Sequence, residues 1–366
     1  MDSMKLEDCC EILDSQRVPI TGSDRTSGDY PYYGANGIQD YVDDFIFDDE
    51  LVLLAEDGGN FGSKTRPIAY RVSGKCWVNN HAHVLKPKAG LDVDYLCYSL
   101  MFYDVGGMVN GATRQKLTQA AMRQMIIPKR SLDEQIEIVN IIKKVQGVIA
   151  SRKEELEQLD LLIKARFVEL FGDININDKN WKYEPLGELC TIVRGGSPRP
   201  IEQFLGGDVP WIKIGDATDG DSIYLNSTKE HIIQEGIKKS RLVKEGSLIF
   251  ANCGVSLGFA RIITFDGCIH DGWLAMEDID ERLDKVFLLQ ALNQMTEHFR
   301  AIAPAGTQPN LNTAIMKAYK QVIPPIELQR EFINFAKQVT KSKVAEQKAL
   351  DETQILFDSL MQEYFG

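Results

Sequence analysis

The amino-acid sequence predicts an α+β (mixed α/β) protein in which two globular domains, related by pseudo-twofold symmetry, are joined by two long antiparallel coiled-coil helices. Three observations predict this fold class. The second half of the chain repeats the order of the first, each half ends in a long run with a helical apolar pattern, and short strand-like segments fill the remainder. We expect the order domain, helix, domain, helix, with bounds at residues 1–128, 129–172, 173–324 and 325–366.

The internal repeat is the strongest of these observations. Gln135 and Gln329 lie 194 residues apart in the related motifs LDEQ and IELQ, and Gly172 and Gly366 are separated by the same 194 residues. Further upstream, residues 53–62 match residues 249–258 at an offset of 196, and TRQKL at 113–117 lines up with TQPNL at 307–311. The same scheme places His81 opposite His270 at an offset of 189. The two halves are therefore expected to share one fold, in which these two histidines are equivalent.

The first long run carries apolar residues at alternating steps of four and three, a pattern typical of a coiled-coil helix. The second run has a weaker version of this pattern, which Lys343, Glu346 and Thr353 interrupt. Ser131 is the expected N-cap of the first helix, Glu134 completes a capping box, and Gly172 suits the C-terminal cap. The predicted seam residues, through which these helices contact each other or a partner, are Ile138, Ile142, Val145, Ile149, Leu156, Leu159, Ile163, Phe332, Val339, Leu350, Phe357 and Leu360.

A run of about 38 residues forms a helical rod of roughly 57 Å. Such a rod is not stable alone in water with its seam exposed, so the two seams are expected to pair with each other, antiparallel. Arg152 and Glu346 interrupt the two seams near their middles and would meet in that arrangement. The alternative is that each helix packs onto its own domain as ordinary core.

The composition is that of a globular protein, with 366 residues, 44% hydrophobic and 26% charged, which is enough for two or three domains. Neither a signal-peptide pattern nor an apolar run approaching the ~18 residues of a membrane span is present, so we expect a cytoplasmic protein without a membrane partner. The seven cysteines include no Cys-x-x-Cys pair, so reduced thiols are expected rather than disulfides or zinc ligands.

The net charge of −12 argues against nucleic-acid binding unless the charges are unevenly distributed. They are uneven in the first half. Residues 40–57 contain eight acidic residues and no Lys or Arg, whereas residues 58–91 contain six basic residues and no Asp or Glu. The basic stretch would attract a phosphate backbone, and chance patterning on a solvated surface explains it equally well.

Several loops combine glycine with hydroxyl, amide and basic side chains. Glycine lets a backbone approach phosphate, arginine can form two hydrogen bonds with guanine, and Asn or Gln can do so with adenine. Loops of this composition also occur on many other protein surfaces. The candidate DNA-facing residues are Ser63, Lys64, Arg66, Arg114, Gln115, Lys116, Arg194, Ser197, Arg199, Lys213, Gln308 and Asn310.

Catalytic motifs are not expected. The stretch GNFGSKT at 59–65 is close to a Walker A loop, but Ser63 separates the glycine from the lysine. The sequence has neither a methyltransferase box nor a Gly-x-Gly-x-x-Gly motif after a strand. His81, His83 and His270 lack a carboxylate cluster at recognisable spacing, so we expect structural roles for them, with no catalytic residue and no metal site in this chain.

Together these motifs resemble, over nearly the whole chain, the specificity subunits of type I restriction–modification systems. The resemblance is carried by the segments 6–10 and 186–190 that open the halves, by RGGSP at 194–198, by GTQPNLN at 306–312, and by IPP at 323–325 with Gln329. The first half departs from the pattern, because TRQKL replaces the Gln-Pro-Asn form. The chain is also short, which leaves room for a related two-component methyltransferase–nuclease system.

The resemblance implies two inverted target-recognition domains that read a bipartite double-stranded DNA target, two short motifs flanking a nonspecific spacer. It implies a non-catalytic subunit that docks modification (methyltransferase) subunits, expected as two copies, and an ATP-dependent restriction subunit. S-adenosylmethionine, ATP and Mg are then expected in those partners, with no cofactor in this chain. Two other functions remain open: a stand-alone hydrolase using His81, His83 or His270, and a coiled-coil scaffold that binds no nucleic acid.

Overall fold

The structure is a computed structural model that describes residues 2–111, 114–218, 223–254, 256–304 and 310–366. Among these residues, no helix combines the length and the apolar composition that a membrane span requires.

The chain folds into two compact units. The first comprises Met1–Arg152 with Ala349–Gly366, and the second comprises Lys153–Lys348. Each of the two long helices is therefore divided between the units. This division follows contacts between residues, not the order of the segments along the chain. The expected division into four consecutive segments therefore stays a prediction.

The first unit is built around one six-stranded sheet with the order β2-β7-β5-β6-β3-β4. Its elements are β1 (Ser3–Lys5), α1 (Leu6–Cys9), β2 (Cys10–Ile12), β3 (Ser27–Gly34), β4 (Gly37–Val42), β5 (Phe47–Ala55), β6 (Ala69–Val78), β7 (Ala82–Pro87), α2 (Val93–Met101), β8 (Val109–Asn110), β9 (Lys116–Leu117), α3 (Gln119–Arg123), β10 (Ile126–Pro128) and the start of α4 (Leu132–Phe171).

The central strand β5 is buried on both faces because its apolar residues are consecutive. Leu51 and Leu53 contribute to the core on one face, whereas Val52 and Leu54 contribute to the core that α2, α4 and the end of the chain cover. Strand side chains alternate between faces, so a continuous apolar run fills both cores at once.

The second unit has a five-stranded sheet, β12-β20-β17-β18-β14, and a four-stranded sheet, β15-β13-β19-β16. Besides the end of α4, its elements are β11 (Tyr183–Pro185), α5 (Leu186–Leu189), β12 (Thr191–Arg194), β13 (Leu205–Ile212), β14 (Tyr224–Leu225), β15 (Glu230–Ile232), α6 (Gln234–Ile237), β16 (Arg241–Val243), β17 (Leu248–Ala251), β18 (Ala260–Ile263), β19 (Gly267–Ile269), β20 (Trp273–Glu277), α7 (Lys285–Gln294), α8 (Thr296–Ile302), α9 (Thr313–Ala318), β21 (Lys320–Val322) and the start of α10 (Ile326–Phe365).

The predicted repeat is visible in the strand order. The series β2-β7-β5-β6 in the first unit corresponds to β12-β20-β17-β18 in the second, and the small pair β1-β10 corresponds to β11-β21. The expected fold class, α+β with two related domains and long helices, is confirmed. The helices α7 and α8 follow each other directly and are separated at Met295.

The strand register corrects one detail of the repeat. Ala82 pairs with Ala55 in the first unit, and Trp273 pairs with Ala251 in the second. The offset at this strand is therefore 191 residues, because residue 82 corresponds to residue 273.

The predicted equivalence of His81 and His270 is consequently wrong, since His81 corresponds to Gly272 and His270 corresponds to Asn79. A shared turn supports this assignment. The backbone N–H of His81 donates to Asn79 Oδ1 at 2.8 Å, and the N–H of Gly272 donates to His270 Nδ1 at 3.0 Å. The loop between β17 and β18 in the second unit is shorter than the loop between β5 and β6 in the first. A constant offset therefore does not hold across this loop.

The start of the first long helix is capped as its sequence predicts. Ser131 Oγ lies 3.4 Å from the backbone N of Glu134, and the Glu134 carboxylate accepts from the Ser131 backbone N–H at 2.8 Å. At the other end, Gly172 has a φ of 73°, which suits a C-terminal cap.

In the second unit, the parts of α4 and α10 that it contains run antiparallel. Arg166 pairs with Glu331 at 2.5 Å, and Asp160, further back along α4, pairs with Lys343, further along α10, at 2.5 Å. All twelve predicted seam residues are buried or half-buried. The predicted pair of Arg152 and Glu346 stays a prediction, because these residues belong to different units.

A buried glutamine joins each long helix to its domain, in the same way in both units. Gln135 accepts from the backbone N–H of Asp92 at 2.8 Å and donates to two carbonyl oxygens at 3.0 Å. Gln329 accepts from the N–H of Asp284 at 2.8 Å and likewise donates to two carbonyls. Asp92 and Asp284 are the N-caps of α2 and α7, so each glutamine fixes the start of the domain helix against the long helix.

Replacing Gln135 or Gln329 by alanine is expected to lower the free energy of unfolding by roughly 2–4 kcal/mol, because each change removes a buried side chain that makes three hydrogen bonds to the backbone. Urea denaturation measures the change. Gln338→Ala, at an exposed position of α10, is the matched control and should shift stability by less than about 0.5 kcal/mol. Equal effects from all three variants would contradict the role of the buried pair.

Candidate nucleic-acid interface

A short backbone pairing at the end of β5 forms the frame of the candidate site in the first unit. Leu117 N–H donates to Glu56 O at 2.7 Å, and Gly58 N–H donates to Gln115 O at 3.2 Å. An antiparallel bridge joins Asp57 to Lys116 between them. The pairing therefore brings residues 114–116 beside the two carboxylates that end the strand.

The second unit contains the same frame. An antiparallel bridge joins Cys253 to Asn310, and Leu311 N–H donates to Asn252 O at 2.8 Å. In both units a glycine follows the bridged residue at the end of the strand. Its φ is positive, 62° at Gly58 and 72° at Gly254, a backbone conformation that glycine adopts without steric cost.

The side chains on this shared frame differ in charge. In the first unit Lys116 Nζ pairs with Glu56 Oε1 at 2.9 Å. At the equivalent positions of the second unit, Asn252 Nδ2 donates to Asn310 Oδ1 at 3.2 Å. An ion pair in one domain is thus replaced by an amide pair in the other.

Arg114 is the most closely held of the predicted DNA-facing cations in the first unit. Its Nη2 lies 2.5 Å from Asp57 Oδ1 and 3.4 Å from His81 Nδ1. His81 Nδ1 in turn lies 2.8 Å from the same Asp57 oxygen. Gln115, between Arg114 and Lys116, is exposed and takes part in the frame through its backbone oxygen.

The other three candidates of the first unit lie on the loop that follows β5. Ser63 Oγ accepts from the backbone N–H groups of Thr65 at 3.3 Å and Arg66 at 2.9 Å, and so shapes the turn. Lys64 and Arg66 are exposed on this turn. The structure therefore gives Ser63 a role in loop conformation and leaves both cations accessible.

Beneath the frame lies a buried polar group that brings together residues far apart in the sequence. His83 Nδ1 lies 2.7 Å from Asp14 Oδ2, and His83 Nε2 lies 2.9 Å from Leu117 O. Burial alone would raise the pKa of the Asp14 carboxyl, but the hydrogen bond and charge of His83, aided by backbone and amide donors, hold that pKa below its usual range. The expected structural role of His83 is therefore to support the segment that carries Lys116.

Asp14, Glu56 and His83 lie close enough together to hold a metal ion. Their ligand atoms, however, already face protein cations. Arg17 Nη1 lies 2.6 Å from Glu56 Oε2, and Lys116 lies on the other oxygen of that carboxylate. Hydrogen bonds from Arg17 and Lys116 outweigh burial and lower the pKa of Glu56. The group is therefore better described as an ion-pair network than as a metal site.

In the second unit the predicted residues converge on Asp271. Ser197 Oγ donates to Asp271 Oδ1 at 2.8 Å, Arg194 Nε donates to Asp271 O at 2.9 Å, and Arg199 Nη2 lies 3.8 Å from Asp271 Oδ2. Burial would raise the pKa of Asp271, but Ser197, His270 and the two arginines lower it. The carboxylate therefore stays ionised among the cations.

His270 lies beside this group, and its surroundings lower its pKa. Burial lowers its pKa, Asp271 opposes that effect, and the charges of Lys213, Arg199 and Arg194 lower it further. Lys213 itself pairs with Glu230 at 2.5 Å.

Two candidates of the second unit remain. Asn310 is half-buried within the amide pair, and Gln308 lies outside the described residues. The structure thus brings Arg194, Ser197 and Arg199 together around Asp271, with Lys213 near His270.

The basic stretch at 58–91 does not act as one positive surface. Strand β5 pairs with β6 and β7, which brings this stretch against the acidic one. Arg71 pairs with Glu50, and Lys86 pairs with Asp49 at 2.8 Å. Much of the charge asymmetry along the sequence is therefore cancelled across strands.

Sequence reasoning missed the two carboxylates that organise these clusters, Asp57 and Asp271. Each occupies the residue before a glycine at one end of a central strand, Gly58 after β5 and Gly272 before β20. A polar residue beside glycine at a strand end could have identified them, because loops at strand ends commonly carry functional groups.

Fold and repeat define the chain as a tandem α+β protein whose two domains share one backbone frame and each carry a polar cluster. The family model of the type I restriction modification DNA specificity domain matches residues 1–161 and again residues 178–353. The chain therefore belongs to the family of type I restriction–modification specificity subunits and contains two DNA specificity domains.

Known proteins agree with this assignment. The chain is 30% identical over 342 residues to a putative type I restriction enzyme specificity subunit of Haemophilus influenzae, covering 90% of this chain and 85% of that protein. It is 23% identical to a type I specificity subunit of Methanocaldococcus jannaschii, covering 81% and 74% of the two chains.

Two solved structures share the fold. The crystal structure of a type I system S subunit from M. genitalium superposes with a TM-score of 0.59 at 15% identity, covering 100% of this chain and 96% of that one. A chain from a structural study of type I complex assembly and conformational transition gives 0.61 at 16% identity, covering 100% and 97%.

Acid should weaken the first domain through Asp14. Because its folded pKa lies below its ordinary value of 3.8, the ionised carboxyl stabilises the fold above that value, and the contribution is lost as the pH falls through the folded pKa. Asp14→Asn should therefore be less stable than the wild type by roughly 1–3 kcal/mol at pH 7, with the difference shrinking below about pH 4.

Thermal or urea unfolding from pH 7 down to pH 3 measures this difference. Glu157→Gln, at an exposed position of α4, is the control and should follow the wild type at every pH. A difference between wild type and Asp14→Asn that stays constant with pH would show that the Asp14 charge does not stabilise the domain.

Proposed function

We propose that each specificity domain of this chain reads one half of a bipartite double-stranded DNA target through the polar cluster on its frame. The observation that supports this most strongly is the shared frame, on which Lys116 in one domain and Asn310 in the other occupy equivalent positions. Arg114 lies beside Lys116 in the first domain, and Arg194 and Arg199 contact Asp271 in the second. Arginine, lysine and amide groups are the side chains that bind phosphate and base edges.

The clusters are mixed in charge, and this suits selective binding better than strong binding. Asp57, Glu56 and Asp271 offset part of the positive charge that would attract any phosphate backbone. Nonspecific affinity depends mainly on such attraction. Base contacts therefore contribute a larger share of the binding energy.

In this proposal the chain is a non-catalytic subunit. It docks modification subunits, expected as two copies, and an ATP-dependent restriction subunit, while S-adenosylmethionine, ATP and Mg bind those partners. The ion pairs that occupy Asp14, Glu56 and His83 support this division of labour, since they leave the histidine without a free coordination position. A hydrolase that uses His270 is not supported either, because this histidine lies among cations and beside Asp271.

Methylation-sensitive sequencing of the host genome is the direct test. We expect one bipartite motif whose modification disappears when this chain is deleted and returns when the chain is supplied on a plasmid. A single undivided motif, or modification that persists without the chain, would contradict it. Turnover of a substrate by the purified chain alone would favour the hydrolase.

Charge removal at the second cluster tests its placement. Arg199→Ala should weaken binding of the assembled complex to all duplexes alike and reduce the salt slope by about one, because this exposed cation is expected to contact phosphate. Gel shifts at several salt concentrations measure both quantities. Lys244→Ala, which removes a cation paired with Asp266 instead, is the control.

Unchanged DNA binding after substitution of both Arg194 and Arg199 would show that the interface of the second domain lies elsewhere.

A further inference from the structure

The cations of the first domain differ in how firmly they are held. Arg114 is 58% exposed, yet its guanidinium is ion-paired with Asp57, which is only 16% exposed and also contacts His81. Lys64 and Arg66 are exposed on a turn, and among the described residues neither has an ion-pair partner. Arg114 is therefore held by a carboxylate, whereas Lys64 and Arg66 are exposed without an ion-pair partner among the described residues.

The backbone beneath Arg114 restricts it further. A Cβ atom at Gly58 would lie 3.2 Å from Arg114 Nε, 3.4 Å from Nη2 and 3.6 Å from Cζ, so the guanidinium lies against the glycine backbone. Gly58 is itself tied to the neighbouring residue by the hydrogen bond from its N–H to Gln115 O. The carboxylate of Asp57 and the backbone of Gly58 together restrict the orientations open to the guanidinium.

A fixed guanidinium suits one kind of DNA contact. Arginine reads guanine through two parallel hydrogen bonds to O6 and N7, which require the group to hold one plane. A phosphate contact requires only charge within reach, and a mobile side chain supplies it. The carboxylate of Asp57 also reduces the attraction of Arg114 to phosphates of any sequence.

We infer that Arg114 reads a guanine edge in the major groove, that Asp57 is its positioning residue, and that Lys64 and Arg66 contact phosphate. This inference rests on the proposed function and extends it, because it separates the base contact from the phosphate contacts in the first domain.

The test is a selection from duplexes with random bases in both half-sites, using the chain assembled with its modification subunits and sequencing the bound DNA. Wild type defines the motif. Arg114→Lys keeps the charge but loses the planar pair of donors, so one G·C position of one half-site should lose about 5- to 100-fold of its preference, while all other positions stay. Arg66→Lys is the matched control and should leave the motif unchanged.

Asp57→Asn separates positioning from a general structural role. The same G·C position should relax, and binding to a duplex without the motif should become stronger, because one negative charge has been removed beside the cations. Damage to the fold would weaken both kinds of binding, and that result would overturn the role of Asp57.

The outcomes distinguish this inference from the function on which it rests. A wild-type complex that selects no motif would overturn both. A clear wild-type motif that Arg114→Lys leaves intact at every position, or that Arg66→Lys relaxes at the same position, would overturn the inference and leave the proposed function standing.

Discussion

The backbone pairing between residues 56–58 and 115–117 is the contact on which the candidate site of the first domain depends. It uses N–H and C=O groups, so it is insensitive to which side chains the paired residues carry. The second domain keeps the pairing with Asn252 and Asn310 in place of Glu56 and Lys116. One frame can therefore present a charged pair or an amide pair, and this is how two related domains can have different chemical surfaces on the same fold.

Electrostatics within each cluster explain how an acidic chain can carry a DNA specificity function. The net charge of −12 describes the whole molecule, whereas recognition depends on charges within about a Debye length of the ligand. Asp57 and Asp271 each hold cations in place, and those carboxylates also lower the local positive potential. Orientation is gained at the expense of general attraction to phosphate, which favours discrimination between sequences over tight binding to all of them.

The two long helices are part of the cores as well as connectors. Ile138 and Phe357 belong to the core of the first unit, and Phe167 and Phe332 belong to that of the second. Gln135 and Gln329 add identical sets of buried hydrogen bonds at the points where the domain helices begin. Because each helix contributes to both units, the domain cores and the helical segments are expected to depend on each other for stability.

The sequence by itself determined the repeat, the two helices, the caps of the first helix and the apolar seams, because these features follow from local motifs, periodicity and equal spacing. It also placed Arg194, Ser197 and Arg199 in one loop. Only the tertiary structure decided which distant residues meet. The strand register shows that His81 corresponds to Gly272 and not to His270. It also pairs the basic stretch with the acidic one. The fold brings Asp57 and Asp271 into contact with the cations. Register depends on contacts between residues far apart in the chain, and a pattern along one strand carries no information about its neighbour.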